Sequence, residues 1–191
     1  MLASKDFVSP PELIAAATSL FGGEIGLDPA SSKYANNVVQ ATRYFNWKDN
    51  GLNQDWKAKN IYLYPPRDIA LKSDQPKSTK LFTKETYFKK SNQRVWLEVA
   101  YNKWIKREFD EGLIFITSTQ VALLSTQQVG IDLPMCILKK HPKLLKDDEK
   151  LKPIKHSKVF GFIFYLPPIQ DYQNRTHDFH QQYSDLGRVY L

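Results

Sequence analysis

The sequence predicts an α/β layer protein, in which helices alternate with the strands of a covered sheet. Two observations carry this. Apolar runs over residues 59–64, 113–117, 134–138 and 159–166 have strand length, and the last is apolar almost throughout (Phe160, Phe162, Ile163, Phe164), as suits a strand covered on both faces. Between the runs lie segments of helical spacing, above all 92–110, where Leu97, Tyr101, Ile105 and Phe109 recur at every fourth position. The chain has 191 residues, 42% hydrophobic and 25% charged. That balance excludes wholesale disorder, collagen and a disulfide scaffold, and the length suggests one domain over 1–191.

The elements follow in order. Ser9-Pro10-Pro11-Glu12 opens an apolar run over 13–21. A serine before proline, with glutamate three residues on, predicts a capping-box helix start, and Gly22-Gly23 predicts its end. Residues 24–28 read as a short strand stopped by Asp28-Pro29, and 59–64 as a second stopped by Pro65-Pro66. The helix over 92–110 buries Trp96, Ala100 and Trp104 beside its stripe and turns Glu98, Asn102 and Lys106 outward, with Gly112 as its stop. A strand over 113–117, a helix over 118–130 capped by Ser118, strands over 134–138 and 159–166, and a polar, weakly helical tail over 171–186 complete the chain.

The formal charge is +7. Two stretches, about 72–94 and 139–158, hold the whole excess and read as basic insertions. They are either solvated loops or two walls of a groove that grips a polyanion. The single cysteine, Cys136, excludes an internal disulfide and a multi-cysteine metal site and fits a reducing compartment. It sits beside Met135 in an apolar strand and reads as buried and inert. The histidines His141, His177 and His180 are too scattered to predict a metal site. Ser118 and Ser125 have no histidine nearby to suggest a hydrolase triad. Helical spacing assigns Trp96, Tyr101 and Trp104 to the core, and Asp147-Asp148 in the lysine-rich stretch reads as solvated. No apolar run approaches the roughly 20 residues of a membrane-spanning helix, and the first residues lack a signal-peptide stretch. A soluble cytoplasmic protein with no membrane partner is the expectation.

Ligands of open α/β sheets bind at the carboxyl ends of strands. Two such ends stand out. In Leu27-Asp28-Pro29-Ala30-Ser31 a carboxylate can accept from an ammonium or a ribose hydroxyl, and small side chains let a ligand approach. The same residues can equally make a strand-ending Asx turn. In Ile61-Tyr62-Leu63-Tyr64-Pro65-Pro66-Arg67 the diproline stiffens the loop and leaves carbonyls able to accept from an amino group. It can equally be a plain strand stop. No G-x-G-x-x-G or P-loop accompanies either.

Taken in order, Ser9-Pro10-Pro11-Glu12, Leu27 to Ser31, Asn50-Gly51-Leu52-Asn53-Gln54-Asp55-Trp56 and the strand ending in Pro65-Pro66 resemble the phage-type DNA N6-adenine methyltransferase family. The resemblance covers about residues 8–69. It implies a Rossmann-like, class I S-adenosylmethionine-dependent methyltransferase sheet with helices on both faces, acting on a flipped adenine of DNA. By the same resemblance, Ser9 and Pro10 and the Asp28, Pro29, Ala30 and Ser31 turn would hold S-adenosylmethionine, with Asp28 facing its ammonium group. The segment from Gly51 to Trp56 would pack near the pocket.

The catalytic positions implied by the family are Tyr64, Pro65, Pro66 and Arg67, and here the sequence departs from it. Tyr64 replaces the Asn of Asn-Pro-Pro-Tyr and Arg67 its Tyr. Adenine's exocyclic nitrogen is a poor nucleophile. Two positioned acceptors draw its lone pair toward the methyl group, and losing one costs about two to three decades in rate. Activity is therefore expected to be reduced or absent. Lys72, Lys77, Lys89, Lys90 and Arg94 are the expected phosphate grip. Three readings stand: an adenine-specific DNA methyltransferase, an inactive nucleic-acid- or cofactor-binding module of the same fold, and an unrelated small α/β enzyme.

Overall fold

A computed structural model describes residues 7–67, 92–128, 133–155 and 158–191. Along the chain run β1 (Phe7–Val8), α1 (Pro11–Leu20), β2 (Leu27–Asp28), α2 (Lys33–Val39), β3 (Arg43–Tyr44), β4 (Ala58–Leu63), α3 (Asn92–Ile105), β5 (Phe109–Ile116), α4 (Thr119–Gln128), β6 (Met135–Leu138), β7 (Leu145–Lys146), β8 (Phe162–Leu166), α5 (Tyr172–Tyr183) and β9 (Gly187–Tyr190). Seven strands form a mixed sheet in the order β3-β2-β4-β5-β8-β6-β9, while β1 and β7 pair in a separate two-stranded sheet. The strands β3, β2, β4 and β5 run parallel. β8 is antiparallel to both β5 and β6, and β9 is antiparallel to β6.

Hydrophobic residues on the two faces of the sheet explain the layers. On one face Ile61, Leu63, Ile114, Ile116 and Phe164 pack with Val95, Trp96, Leu97 and Trp104 of α3 and Val121 and Ala122 of α4. On the other, Tyr62, Tyr64, Leu113, Phe115, Ile163 and Tyr165 pack with Leu13, Ile14 and Ala17 of α1 and Phe179 and Tyr183 of α5. Alternation along β4 and β5 sends successive side chains to opposite cores, so helices cover both faces as expected.

Several local expectations change. Ser9 does not cap α1: Pro10 is the N-cap residue, with no side-chain bond, and the Ser9 hydroxyl instead accepts from Tyr62 OH at 2.8 Å. Gly22 and Gly23 do end the helix, at φ +80° and +109°. Helix α3 stops at Ile105, because Arg107 takes φ +59° and Phe109 and Asp110 already belong to β5. Gly112 is thus a strand residue rather than a helix stop. It pairs with Ile61 and Leu166, and a Cβ there would lie 3.0 Å from Ile61 Cγ1.

Ile105 is exposed, whereas Glu98 is fully buried in an ion pair with Arg94 at 3.1 Å. The expected polar face of α3 is thus covered at Glu98 while Lys106 stays exposed, and ion pairing is how the helix can bury charge. Phe160 lies outside β8 and is exposed. Ser118 caps α4 as expected, its hydroxyl accepting from Val121 N–H at 3.3 Å. The tail forms α5 and then β9, an edge strand with no apolar run to announce it.

The basic stretch 72–94 lies outside the described residues up to 91. The stretch 139–158 is not a bare loop. It contributes β7, buries Leu145 and places Leu144 in the same hydrophobic cluster as α1, and leaves its described lysines exposed. No helix among the described residues is long and apolar enough to cross a membrane.

Candidate functional site

Strand connectivity selects one place in the sheet. From β2 the chain moves through α2 to β3 on one side, then returns past β2 to β4 on the other and continues to β5. The direction of winding reverses between β2 and β4. Loops leaving a switch point diverge and open a crevice at the carboxyl ends of the strands.

A cavity of about 270 Å³ lies there. Pro29, Ala30, Ser31 and Ser32 line it after β2, and Phe45, Asn46, Trp47, Asn50, Gly51 and Leu52 after β3. Tyr64, Pro65, Pro66 and Arg67 line it after β4. Phe7, Ala35, Trp96 and Asp147 complete the wall. The two turns singled out in the sequence therefore share one cavity.

The wall is held by close backbone packing. A Cβ on Gly51 would lie 2.0 Å from the Pro29 carbonyl oxygen, so only glycine lets the two loops meet. Trp56, fully buried, donates from Nε1 to the Gly51 carbonyl at 2.7 Å and stacks on Trp96 with centroids 6.0 Å apart. The segment from Gly51 to Trp56 thus clamps the floor of the cavity, which gives a physical role to residues that sequence alone left without one.

Asp28 stands under the wall rather than in it. It is 3% exposed, and its Oδ1 accepts from Ala30 N–H at 3.1 Å, the Asx turn. Burial pushes its carboxyl up to about 7. The Ser31 hydroxyl, which approaches outside good hydrogen-bond geometry, and the Ala30 N–H pull it partly back. Tyr62 lies within electrostatic reach of both Asp28 and Tyr64, and burial raises its phenol above the ordinary range. Ser9, Pro10, Asp28 and Tyr62 form a buried layer beneath the cavity and do not line it.

At the positions where the resemblance implies catalysis, Tyr64 is largely buried and packs on Phe115 with centroids 4.7 Å apart. Its hydroxyl is shielded from solvent. Arg67 is exposed, with its guanidinium 5.1 Å from the centre of the Phe7 ring. Of the expected phosphate grip, Lys72, Lys77, Lys89 and Lys90 lie outside the described residues. Arg94 is a correction: it is 6% exposed and ion-paired with Glu98, so its charge is spent inside the fold.

Phe45, Trp47 and Asp147 are among the lining residues that escape sequence reasoning. Trp47 is 76% exposed at the cavity, with Lys48 Nζ 5.6 Å from its ring centre. Phe45 and Trp47 follow β3, and two residues of strand are too few to show a period. Asp147, solvated by its sequence context, instead lines the cavity and accepts from the Ser32 hydroxyl. The pairing of β7 with β1 brings it there, and nothing local announces that.

A larger cavity of about 620 Å³ sits at the opposite ends of β4 and β5. Of its charged lining residues, Arg175 pairs with Glu111 at 2.7 Å, as it does with Asp178 outside the lining, and Tyr165 donates to Glu111. Cys136 is buried, its thiol is 3.7 Å from the Tyr183 carbonyl, and burial pushes it up to about 12. Among the described residues no group of His, Cys, Asp and Glu is arranged to hold a metal. Comparison with protein-family models, curated proteins and solved structures finds no match to this chain.

Proposed function

We propose that the cavity at the ends of β2, β3 and β4 binds S-adenosylmethionine. In this reading the protein is a DNA adenine-N6 methyltransferase-like module whose methyl-transfer step has been lost. One observation carries it: the Pro29 to Ser32 turn and the Pro65-Pro66 turn wall a single cavity at the switch point.

The residues present fit that cofactor. Phe45 and Trp47 offer rings to an adenine, the Asn46 and Asn50 amides and the Ser31 hydroxyl suit a ribose, and small Ala30 leaves room beside the turn. Bound, the cofactor supplies an electrophilic methyl group. This chain's contribution is to orient it and exclude water.

The loss of transfer follows from Tyr64. An acceptor must face the target amino group, and here the phenol is shielded while its ring fills space against Phe115. Pro65, whose C=O corresponds to the second acceptor of the family's motif, lines the cavity. Arg67, turned onto Phe7, replaces the aromatic residue that would stack a flipped base. The exposed lysines of 139–158 support DNA as the partner. Calorimetric titration with S-adenosylmethionine tests the cavity, and labelled methyl transfer to adenine-containing DNA tests the loss. Saturable cofactor binding without transfer is expected. No binding overturns the first claim, and ordinary turnover overturns the second.

A further inference from the structure

We infer that Asp147 recognises the ammonium group of the cofactor's amino-acid end, so that the lysine-rich lobe supplies the specificity residue of the cavity. This rests on the reading of the cavity as an S-adenosylmethionine site. Among the described residues, Asp147 and Arg67 are the only charged ones that line it, and the Arg67 guanidinium is turned onto Phe7. Asp28, the carboxylate that the sequence favours for this role, is buried beneath the Asx turn and bonded to Ala30 N–H. Among the described residues, an ammonium group in this cavity therefore meets one carboxylate, that of Asp147.

Its placement is over-determined. β7 pairs with β1 in a register that sets Lys146 against Phe7, itself a lining residue, and Asp147 follows directly. Oδ1 accepts from the Ser32 hydroxyl, whose oxygen in turn accepts from Ala35 N–H at 2.9 Å. The carboxylate is thus tied to the start of α2. Asp147 lines the cavity, and among the described residues no hydrogen bond to its Oδ2 is found. The neighbouring Asp148 differs: its Oδ1 accepts from Lys150 and Leu151 N–H and closes a turn. A half-buried carboxylate held by one hydroxyl and facing a cavity suits a charge-assisted bond to an ammonium.

Asp147→Asn keeps the shape and removes the charge. Titration of wild type and variant with S-adenosylmethionine, S-adenosylhomocysteine and 5′-methylthioadenosine, which lacks the amino-acid end, tests the assignment. Binding of the first two should weaken about tenfold or more, as expected for loss of a charged hydrogen bond, while that of the third stays unchanged. The unchanged third ligand also shows that the variant is folded. Asp147→Glu should retain part of the affinity. Unaltered binding of S-adenosylmethionine by Asp147→Asn overturns the inference, as does equal weakening of all three ligands, which would make Asp147 a general support of the wall. Failure of the wild type to bind any of them instead removes the cofactor reading beneath it.

Discussion

Gly51 and Pro29 touch backbone to backbone: a methyl group at Gly51 would fall 2.0 Å from the Pro29 carbonyl oxygen. The loops after β2 and β3 are separate in sequence, yet this one approach sets the floor of the cavity they share. Gly51→Ala must push them apart. We expect a loss of about 1–3 kcal/mol or more in urea unfolding, typical of overpacking against atoms that cannot yield, together with weaker cofactor binding. A variant of wild-type stability would show that the loops separate freely.

Trp56→Phe probes the same floor from below. It leaves the buried Gly51 carbonyl without its Nε1–H donor and shrinks the stack on Trp96. The expected loss is about 1–3 kcal/mol, measured by urea denaturation.

Asp28 makes stability depend on pH in an unusual direction for a carboxyl group. Its ordinary value is 3.8, and burial raises it to about 7 in the folded protein. Between those values the folded state holds a proton that the unfolded chain releases. The contribution is therefore complete below about pH 4 and is lost as pH rises toward 7. The full difference is about 4 kcal/mol by proton linkage. Asp28→Asn keeps an acceptor for Ala30 N–H and abolishes the titration. Urea stability of wild type relative to this variant should fall from pH 4 to pH 7 and then level off. A flat difference across that interval would show that Asp28 is already ionised.

The double substitution Tyr64→Asn, Arg67→Tyr should install an acceptor and an aromatic face at the wall. Labelled methyl transfer to DNA should then rise at least about a hundredfold above wild type, the scale of one positioned acceptor. Removing the Tyr64 ring from Phe115 costs stability, about 3 kcal/mol, so the assay belongs well below the unfolding midpoint. No gain in a folded variant would mean that the diproline turn does not present the motif.

With Arg94 buried, the proposed DNA partner would be gripped through the exposed lysines. Lys139, Lys140 and Lys143 are all exposed beside the folded lobe. Replacing all three with Gln should flatten the salt dependence of DNA binding, by about 0.9 in logarithmic slope for each phosphate no longer neutralised. An unchanged slope would place the grip elsewhere on the surface.

The alternation of helix and strand, the stop at Gly22-Gly23, the two turn sequences and the buried stripe of Trp96, Ala100 and Trp104 are local properties, written in side-chain polarity and backbone freedom, and the sequence alone determined them. Sequence reasoning fails where packing overrides local preference. Glu98 looks like the outer face of a helix and Arg94 like a phosphate contact, but the two pair with each other inside. Ser9 looks like a cap but meets Tyr62. Gly112 looks like a stop but lies in a strand with little room for a Cβ.

The site divides in the same way. Its walls after β2 and β4 are legible because Pro29 and Pro65-Pro66 mark strand ends in any sequence. That β3 adds Phe45 and Trp47, that Gly51 seats on Pro29, and that Asp147 arrives from a lysine-rich stretch were decided only by tertiary structure. Strand order and the β1–β7 pairing bring together residues distant in the chain, and no local period records a long-range pairing.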